Sequence, residues 1–348
     1  MPAERPADGI WAFPAEDFAG ALVMPGVWVS ALPFPSPLRY VFSYLIETAD
    51  GLVVVDLGWN TDEAWRTFLA GLSRAGKSLD DVSGVVVTHV HPDHYGLASR
   101  IRDTSSAWIA VHPAERPQLV IDDAGAERRI DDMARWLRRC GAPTIEVERL
   151  RAESAEIAAA ISKVQPDLDL VDGASVLGTD GSLVSVHTPG HTPGHVCFLD
   201  RERGLIFTGD HVLPRVTPNV SKRPTSDEDP LQDFTRSLHC LDSLDSEGSL
   251  LALPGHEWVF EGLHERLAEI EGHHVDRLAE VEAAVRQGCG TVWEVAQAVR
   301  WSRPFDTLQP RARRSAIGET YSHLYRLHAC GKLRLTPAFP ERWTIASA

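Results

Sequence analysis

The chain has 348 residues, of which 43% are hydrophobic, and its formal net charge is −15 at pH 7. This length allows one large domain and a smaller one, each with its own hydrophobic core. The negative charge disfavours a nucleic-acid partner, because neutralising phosphates requires a basic surface. The acidic excess also fits a simpler explanation, a solvated surface that keeps the protein in solution.

The cysteines and the first twenty residues indicate the cellular compartment. Five cysteines are scattered along the chain without a Cys-x-x-Cys pair, which disfavours a disulfide framework or a cysteine zinc site. The first twenty residues contain no apolar stretch typical of a signal peptide, and no later stretch is long enough to span a membrane. We therefore expect a cytoplasmic protein without membrane contacts.

Five short apolar runs predict buried strands, and a polar cluster beside Gly or Pro follows each of them. The runs are 53–55, 85–87, 184–186, 205–207 and 251–253. The clusters contain, in the same order, Asp56, the segment 88–94, the segment 188–195, the segment 208–211 and His256. Because rigid scaffolds present functional side chains on loops, we expect the clusters to converge on one edge of a sheet.

The densest cluster is the segment 88–94, which reads Thr-His-Val-His-Pro-Asp-His. Three imidazoles and a carboxylate in six positions suit divalent ions such as zinc better than a core or a solvated face. Alternate residues of an extended segment point the same way, so His89 and His91 can bind one ion. The turn at the following proline directs Asp93 and His94 towards a second ion. The alternative is a histidine-rich surface loop.

Two helices are predicted in an insertion at about 114–165, which we expect to cover the site. Apolar residues at helical spacing around Trp136 predict a helix that ends near Gly141. A second predicted helix carries Ile157, Ile161 and Val164. The first helix also carries arginines that either meet a substrate carboxylate or line a solvated face, and these are Arg135, Arg138 and Arg139.

A different pattern begins near residue 262. It predicts three helices and a short strand, which occupy 263–285, a segment beginning at Thr291, 316–329 and 332–336. A capping box formed by Thr291 and Glu294 opens the second of these helices. From residue 261 the chain carries 12 Lys and Arg against 11 Asp and Glu, so the acidity belongs to the part before it.

Taken together, these motifs resemble those of the metallo-β-lactamase-fold hydrolase superfamily, nearest to its glyoxalase II-like branch. All five clusters are present, in order, over roughly residues 50–260. The resemblance implies an α/β (α+β) fold, a four-layer αββα sandwich with a dinuclear metal centre between its two sheets. It also implies a catalytic domain over 1–261, and the segment 262–348 resembles the winged-helix-like domain of some glyoxalase II-like hydrolases.

The resemblance assigns the metal ligands by motif position. The ligands of the first metal would be His89, His91 and His191. The ligands of the second metal would be Asp93, His94 and His256. Asp210 would bridge both metals, and Asp56 would orient a ligand histidine through a hydrogen bond. The cofactors would be two divalent ions, with zinc favoured and iron or manganese open at either site.

The sequence around the bridging residue Asp210 narrows the choice of activity within the superfamily. Its Thr-Gly-Asp context is similar to that of glyoxalase II, lactonases and phosphodiesterases, whereas true metallo-β-lactamases usually carry Cys or Ser there. A β-lactamase is therefore disfavoured. One departure from the family is Glu257 and Trp258 after His256, where many relatives have glycine and small residues, so the wall of the pocket is expected to differ.

Three further residues are candidate substrate contacts. Tyr95 directly follows the ligand run, where it either donates to a developing oxyanion or packs in the core. His211 and Arg215 lie close in sequence to the bridging aspartate, which makes them the other two candidates. His187 and His195 are expected to make structural hydrogen bonds instead.

We predict a dinuclear metal-dependent hydrolase in which a metal-bridging hydroxide attacks an ester-type bond. The favoured substrate is a thioester or lactone of a small organic acid. Asp93 and Asp210 are the predicted catalytic residues, and Asp93 would carry the proton to the leaving group. A serine or cysteine nucleophile is disfavoured, because a Gly-x-Ser-x-Gly motif is absent and no cysteine lies in a nucleophile motif.

Two alternatives stay open. Relatives with a similar site cleave phosphodiesters, so RNA or a nucleotide is the second candidate substrate. In a different class, the protein is a regulator whose winged helix binds nucleic acid through Arg311, Arg313 and Arg314. The balanced charge of the C-terminal segment favours a packing or dimerisation role instead. The expected partners are therefore a small-molecule substrate and, as an open question, a second copy of the chain.

Overall fold

The computed structural model describes residues 10–11, 19–119, 123–160, 162–222 and 228–346. Within these ranges the strands form sheets of seven, six and two strands. In order across the seven-stranded sheet, the strands are β2 (Ala21–Met24), β3 (Val27–Pro33), β4 (Tyr40–Thr48), β5 (Gly51–Val55), β6 (Val82–Val86), β7 (Trp108–Val111) and β8 (Leu168–Asp169). In order across the six-stranded sheet, they are β1 (Ile10–Trp11), β13 (Val259–Phe260), β12 (Leu251–Pro254), β11 (Leu205–Gly209), β10 (Val196–Asp200) and β9 (Leu183–His187). The two-stranded sheet pairs β14 (Leu333–Thr336) with β15 (Arg342–Ile345).

The α-helices in the described ranges are α1 (Asp62–Arg74), α2 (Pro92–Tyr95), α3 (Ala98–Thr104), α4 (Asp123–Arg139), α5 (Thr144–Ala160), α6 (Pro230–Leu244), α7 (Leu263–Arg286), α8 (Val292–Ala298) and α9 (Pro310–Ala329). The side-chain oxygen of Thr61 caps α1 by accepting a hydrogen bond from the backbone N–H of Ala64. The predicted capping box of Thr291 and Glu294 is confirmed at the start of α8. A helix with the length and apolar character needed to cross a membrane is not found among the described residues.

Alternation along the strands explains how the two large sheets pack. In β5, Leu52 and Val54 belong to an apolar cluster shared with α1 and α3. Because successive side chains of a strand point to opposite faces, Val53 and Val55 lie on the other side of the sheet. There they belong to a cluster to which the six-stranded sheet contributes Leu183, Val196, Phe198, Leu205, Phe207 and Leu253. The main core therefore lies between the two large sheets. A second core lies between the seven-stranded sheet and the helices α1 and α3.

All five predicted strands are present, as β5, β6, β9, β11 and β12. The expectation that they share one sheet is wrong, because β5 and β6 belong to the seven-stranded sheet and the other three to the six-stranded sheet. Parallel pairing of β5 with β6, and of β11 with β12, puts the carboxyl ends of each pair at one edge. The polar clusters therefore extend from the ends of strands in both sheets.

Backbone contacts divide the chain into two compact units. The first unit contains both large sheets. The second contains α4, most of α5 and α7, all of α8 and α9, and the two-stranded sheet. The helical insertion thus groups with the C-terminal helices, whereas the sequence placed it in the catalytic domain. A domain boundary at 261/262 stays a prediction.

The second unit has its own apolar core, in which the insertion and the C-terminal helices meet. Trp136 of α4 is buried there together with Ile317 of α9 and Trp343 of β15. The first predicted insertion helix is confirmed as α4. The second corresponds to α5, but Val164 lies beyond its end and packs against the core of the first unit. Ile161 lies outside the described residues.

Ion pairs within the second unit engage Arg313 and the three arginines of α4 that the sequence singled out. Those of α4 pair with acidic residues, in the combinations Arg135 with Asp132, Arg138 with Glu148 and Arg139 with Glu341. Arg313 pairs with Glu146, donates to the carbonyl oxygens of Asp306 and Leu308, and has a side chain only 11% exposed. Arg313 is therefore not available to contact phosphates at the surface.

Replacing Arg313 with alanine is expected to lower the free energy of unfolding by about 1–3 kcal/mol, because Glu146 then loses its buried partner. Glu146 keeps an ion pair with the exposed Arg149, which limits the loss. Denaturant unfolding measures the effect, with Arg334→Ala as the control at an exposed arginine of β14. Equal stability of the two variants would show that the Arg313 pair contributes nothing.

Candidate metal centre

Three imidazoles from two loops form a first group. His89 and His91 lie between β6 and α2, and His191 lies in the loop after β9. His91 Nδ1 is 2.8 Å from His89 Nε2 and 3.2 Å from His191 Nε2. Burial, together with the neighbouring imidazoles, lowers the pKa values of His89 and His91 well below their usual value. Both rings are therefore neutral, which is the form of imidazole that binds a metal ion.

A second group combines Asp93 and His94 of α2 with His256 of the loop between β12 and β13. Asp93 Oδ2 lies 3.4 Å from His256 Nε2 and 4.0 Å from His94 Nε2. Burial acts to lower the pKa of His256, but the carboxylates of Asp210 and Asp93 outweigh it and raise the pKa to about 10. This raised pKa reflects a concentration of negative charge that a bound cation can also offset.

Asp210, which follows β11, lies between the two groups. Its Oδ1 is 3.4 Å from both His94 Nε2 and His256 Nε2, and its Oδ2 is 3.8 Å from His191 Nε2. The potential ligand atoms of His89, His94 and Asp210 also lie within 4.8 Å of one another. One carboxylate thus reaches histidines of both groups, as a bridging ligand must.

Buried atoms without partners test whether these residues fit metal ions. Among the residues that the structure describes, His94 Nε2, His256 Nε2 and Asp210 Oδ1 are buried without a hydrogen-bond partner. Buried polar atoms normally have one. Imidazole nitrogens and carboxylate oxygens are also the donors that zinc and similar divalent ions take in proteins. The residues present therefore fit divalent metal ions.

Asp56 supports the second group from behind. It follows β5 with a φ of 60°, a left-handed conformation that aspartate tolerates better than most residues. Its Oδ2 lies 2.7 Å from His94 Nδ1, and its two oxygens accept hydrogen bonds from the backbone N–H and the hydroxyl of Thr88, each at 2.8 Å. Because a carboxylate holds Nδ1, the other ring nitrogen of His94 faces the cluster.

Further supporting contacts come from Tyr40 and Glu115, which the sequence did not indicate, and from His195. The carbonyl oxygen of Tyr40, in β4, lies 2.8 Å from His256 Nδ1. Glu115 accepts hydrogen bonds from both loops of the first group, and its only sequence signal is its place shortly after a strand. His195 was expected to be structural, and its Nε2 accepts a hydrogen bond from the backbone N–H of Asp210 at 3.3 Å.

Comparison with known proteins identifies the family. The family model of the metallo-beta-lactamase superfamily matches residues 36–256. The chain belongs to this superfamily. A probable metallo-hydrolase of Bacillus subtilis, YqjP, is 25% identical over 304 residues, which are 86% of this chain and 91% of that protein. A crystal structure of a metallo-beta-lactamase family protein from Thermus thermophilus is 30% identical with a TM-score of 0.76, covering 93% of this chain and 100% of that one.

Several relatives carry a more specific name, that of a thioesterase. An atrochrysone carboxyl ACP thioesterase of Aspergillus chevalieri is 31% identical over 159 residues, which are 42% of this chain and 48% of that enzyme. The superfamily assignment and the αββα fold class inferred from the sequence are confirmed. The glyoxalase II-like branch and the winged-helix character of the C-terminal helices and β14–β15 stay predictions.

The three candidate substrate contacts of this superfamily member differ in their surroundings. Tyr95 is buried, and its hydroxyl donates to the carbonyl oxygen of Val164 at 3.1 Å, so it packs in the core. His211 is buried with its ring centroid 5.5 Å from that of His195. Burial, with a smaller effect of His191, lowers the pKa of His211 to about 3. His211 is thus a neutral imidazole adjacent to Asp210.

Arg215 is held by Glu257, one of the two residues after His256 that the sequence singled out. Glu257 accepts hydrogen bonds from the backbone N–H groups of Arg215 and Val216 at 3.0 and 2.9 Å, and it pairs with the Arg215 guanidinium at 2.9 Å. The side chain of Arg215 is nevertheless 72% exposed. Glu257 therefore anchors the segment after Asp210 and leaves an arginine at the surface of the first unit.

Proposed function

We propose that this chain is a dinuclear metal-dependent hydrolase of an ester-type bond, with a thioester or lactone of a small organic acid as substrate. The observation that carries the proposal is the position of Asp210, whose two oxygens lie near histidines of both groups. The proposed ligands of one ion are His89, His91 and His191, and those of the other are Asp93, His94 and His256. Asp210 is the proposed bridge, and zinc is the proposed metal because it suits these donors.

The side chains around the proposed ions have separable tasks. Divalent ions held by these residues would lower the pKa of water towards about 7 and polarise a substrate carbonyl. Burial acts to raise the pKa of Asp93, but the His256 and His94 imidazoles outweigh it and lower the pKa below the usual range. Asp93 is therefore ionised and can accept a proton, which we propose it transfers to the leaving thiol or alcohol. Asp56 holds the His94 ring in its orientation through the contact with Nδ1.

A cysteine nucleophile is not part of the proposal. Cys140 and Cys197 are both buried. Burial raises the pKa of Cys140, and it raises the pKa of Cys197 to about 12. Both thiols therefore stay protonated near neutral pH, and a thiol is a much weaker nucleophile than a thiolate. The relative named as an ACP thioesterase supports a thioester as the favoured substrate.

A substrate panel tests the proposal. We expect an activated acyl thioester or a lactone to be hydrolysed with a kcat/KM of about 10⁴ M⁻¹s⁻¹ or above. Penicillin and carbapenem turnover should be negligible beside it. Residue 210 is an aspartate, whereas true metallo-β-lactamases usually carry Cys or Ser at this position. The His91→Ala variant, purified identically, controls for contaminating hydrolases.

Hydrolysis of a different substrate class would change the proposal. A bis-aryl phosphate hydrolysed faster than every thioester and lactone would replace the proposal by its phosphodiesterase alternative. Efficient β-lactam hydrolysis would refute the substrate class altogether. A nucleic-acid-binding regulator is not proposed, because Arg313, one of its three candidate contacts, is engaged in an ion pair with Glu146.

A further inference from the structure

Glu115 is a fully buried carboxylate that contacts both loops of the first histidine group. It lies in a 3₁₀ turn shortly after β7. Its Oε2 accepts a hydrogen bond at 2.9 Å from the backbone N–H of Val90, the residue that separates two histidines of the group. Its Oε1 accepts one at 2.9 Å from the backbone N–H of Gly194, in the loop that carries His191. One side chain thus joins two segments far apart in sequence.

The two contacts require a carboxylate rather than an amide. The side-chain amide of Gln118 donates a third hydrogen bond, to Oε1, at 2.8 Å. A carboxylate accepts at both oxygens, whereas the amide of glutamine has one acceptor and one donor end. Glutamine in place of Glu115 would therefore set its own N–H against an N–H of Val90 or of Gly194.

Gly194 fits closely against Glu115. A Cβ at this position would lie 2.7 Å from Glu115 Cγ and 2.8 Å from its backbone nitrogen, closer than real Cβ atoms come. The glycine is therefore required by its close approach to Glu115. The loop that carries His191 thus rests directly on the glutamate.

We propose that Glu115 is a positioning residue of the metal centre. Its carboxylate holds the two loops at the separation that lets His89, His91 and His191 bind one ion. It acts through the backbone N–H groups of Val90 and Gly194. The inference rests on the proposed function, because it takes the three histidines to be ligands.

Zinc titration of metal-free protein tests this role, with a chromophoric chelator as competitor. We expect Glu115→Gln to bind one of two zinc equivalents about 10–100-fold more weakly than the wild type, with the other nearly unchanged. Asp245→Ala is the matched control, because Asp245 is a buried carboxylate that accepts hydrogen bonds from the N–H groups of Ser249 and Leu250 at 2.9 and 3.1 Å. That turn carries no proposed ligand, so this variant should lose thermal stability and keep both zinc affinities.

Gly194→Ala provides a second variant that leaves Glu115 intact and displaces the loop. It should weaken the same zinc equivalent while its circular dichroism spectrum stays native, and it decides the question if Glu115→Gln does not fold. Wild-type affinity for both equivalents in a folded variant would overturn the role of Glu115 and leave the proposed function standing. A wild-type protein that binds no zinc would instead contradict the proposed function.

Discussion

Asp210→Ala is expected to reduce kcat/KM for a thioester or lactone by on the order of 10³-fold and to weaken binding of the second metal equivalent. The carboxylate lies within 3.4 Å of His94 and His256 nitrogens and 3.8 Å from that of His191, so one substitution removes a ligand from both proposed sites. Loss of a residue that only supports a metal ligand costs about 10–100-fold. Removal of a shared ligand should therefore cost more.

Steady-state kinetics and elemental analysis on the same preparation measure this effect. Asp200→Ala is a suitable control, because Asp200 is a buried aspartate of β10 that pairs with Arg203 rather than with the cluster. The control should keep its metals and nearly all of its activity. Hydrolysis by Asp210→Ala at close to the wild-type rate, with two metal ions bound, would show that the dinuclear assignment is wrong.

Removal of the metal ions is expected to abolish hydrolysis and to lower the thermal stability. Without a cation, His94 Nε2, His256 Nε2 and Asp210 Oδ1 are left buried without hydrogen-bond partners, which costs free energy. Each ion present at 100 times its dissociation constant adds about 2.7 kcal/mol to the stability of the folded state. Loss of both ions should therefore be visible as a clear fall in the melting temperature.

Dialysis against a chelator, followed by re-addition of zinc, iron or manganese, tests this expectation. Activity and melting temperature should recover together as about two equivalents are added, and the metal that restores them identifies the cofactor. Chelator saturated with zinc beforehand is the control for direct effects on the protein. Full activity in protein with only trace metal would rule out the proposed mechanism.

Local pattern was sufficient to predict the strands that precede the polar clusters. Each has a short apolar run with Gly or Pro beside a polar residue, and both signals act over a few residues. The strands β2, β3 and β4 were not predicted from the sequence. Their residues are buried on both faces over much of β3 and β4, so the alternation that marks a half-exposed strand is absent.

The candidate ligands were likewise found from local density, whereas their supports were not. His89, His91, Asp93 and His94 lie within six positions, so their chemistry is visible in the sequence. The contact of His256 with the Tyr40 carbonyl joins residues 216 positions apart. It uses a backbone oxygen, which every residue has, so no residue type marks it.

Burial changed the interpretation of Arg313 and Tyr95. Arg313 was a candidate for contacting DNA, and its place beside Glu146 depends on packing between α5 and α9. Tyr95 directly follows two proposed ligands, yet the end of α2 turns its hydroxyl towards Val164. Neighbours in sequence and neighbours in space differ here, because a helical turn directs successive side chains to different sides.

The sequence by itself determined the kinds of candidate ligand side chain, the loops that carry them and the superfamily, because these depend on residue type and on spacing over a few positions. Only the tertiary structure decided which strands share a sheet, that the insertion helices share a core with the C-terminal helices, and that Glu115 joins two of the loops. The physical reason is that burial of apolar surface is non-directional. An amphipathic helix therefore specifies that one face must be covered, while the choice of the segment that covers it depends on the packing of the whole chain.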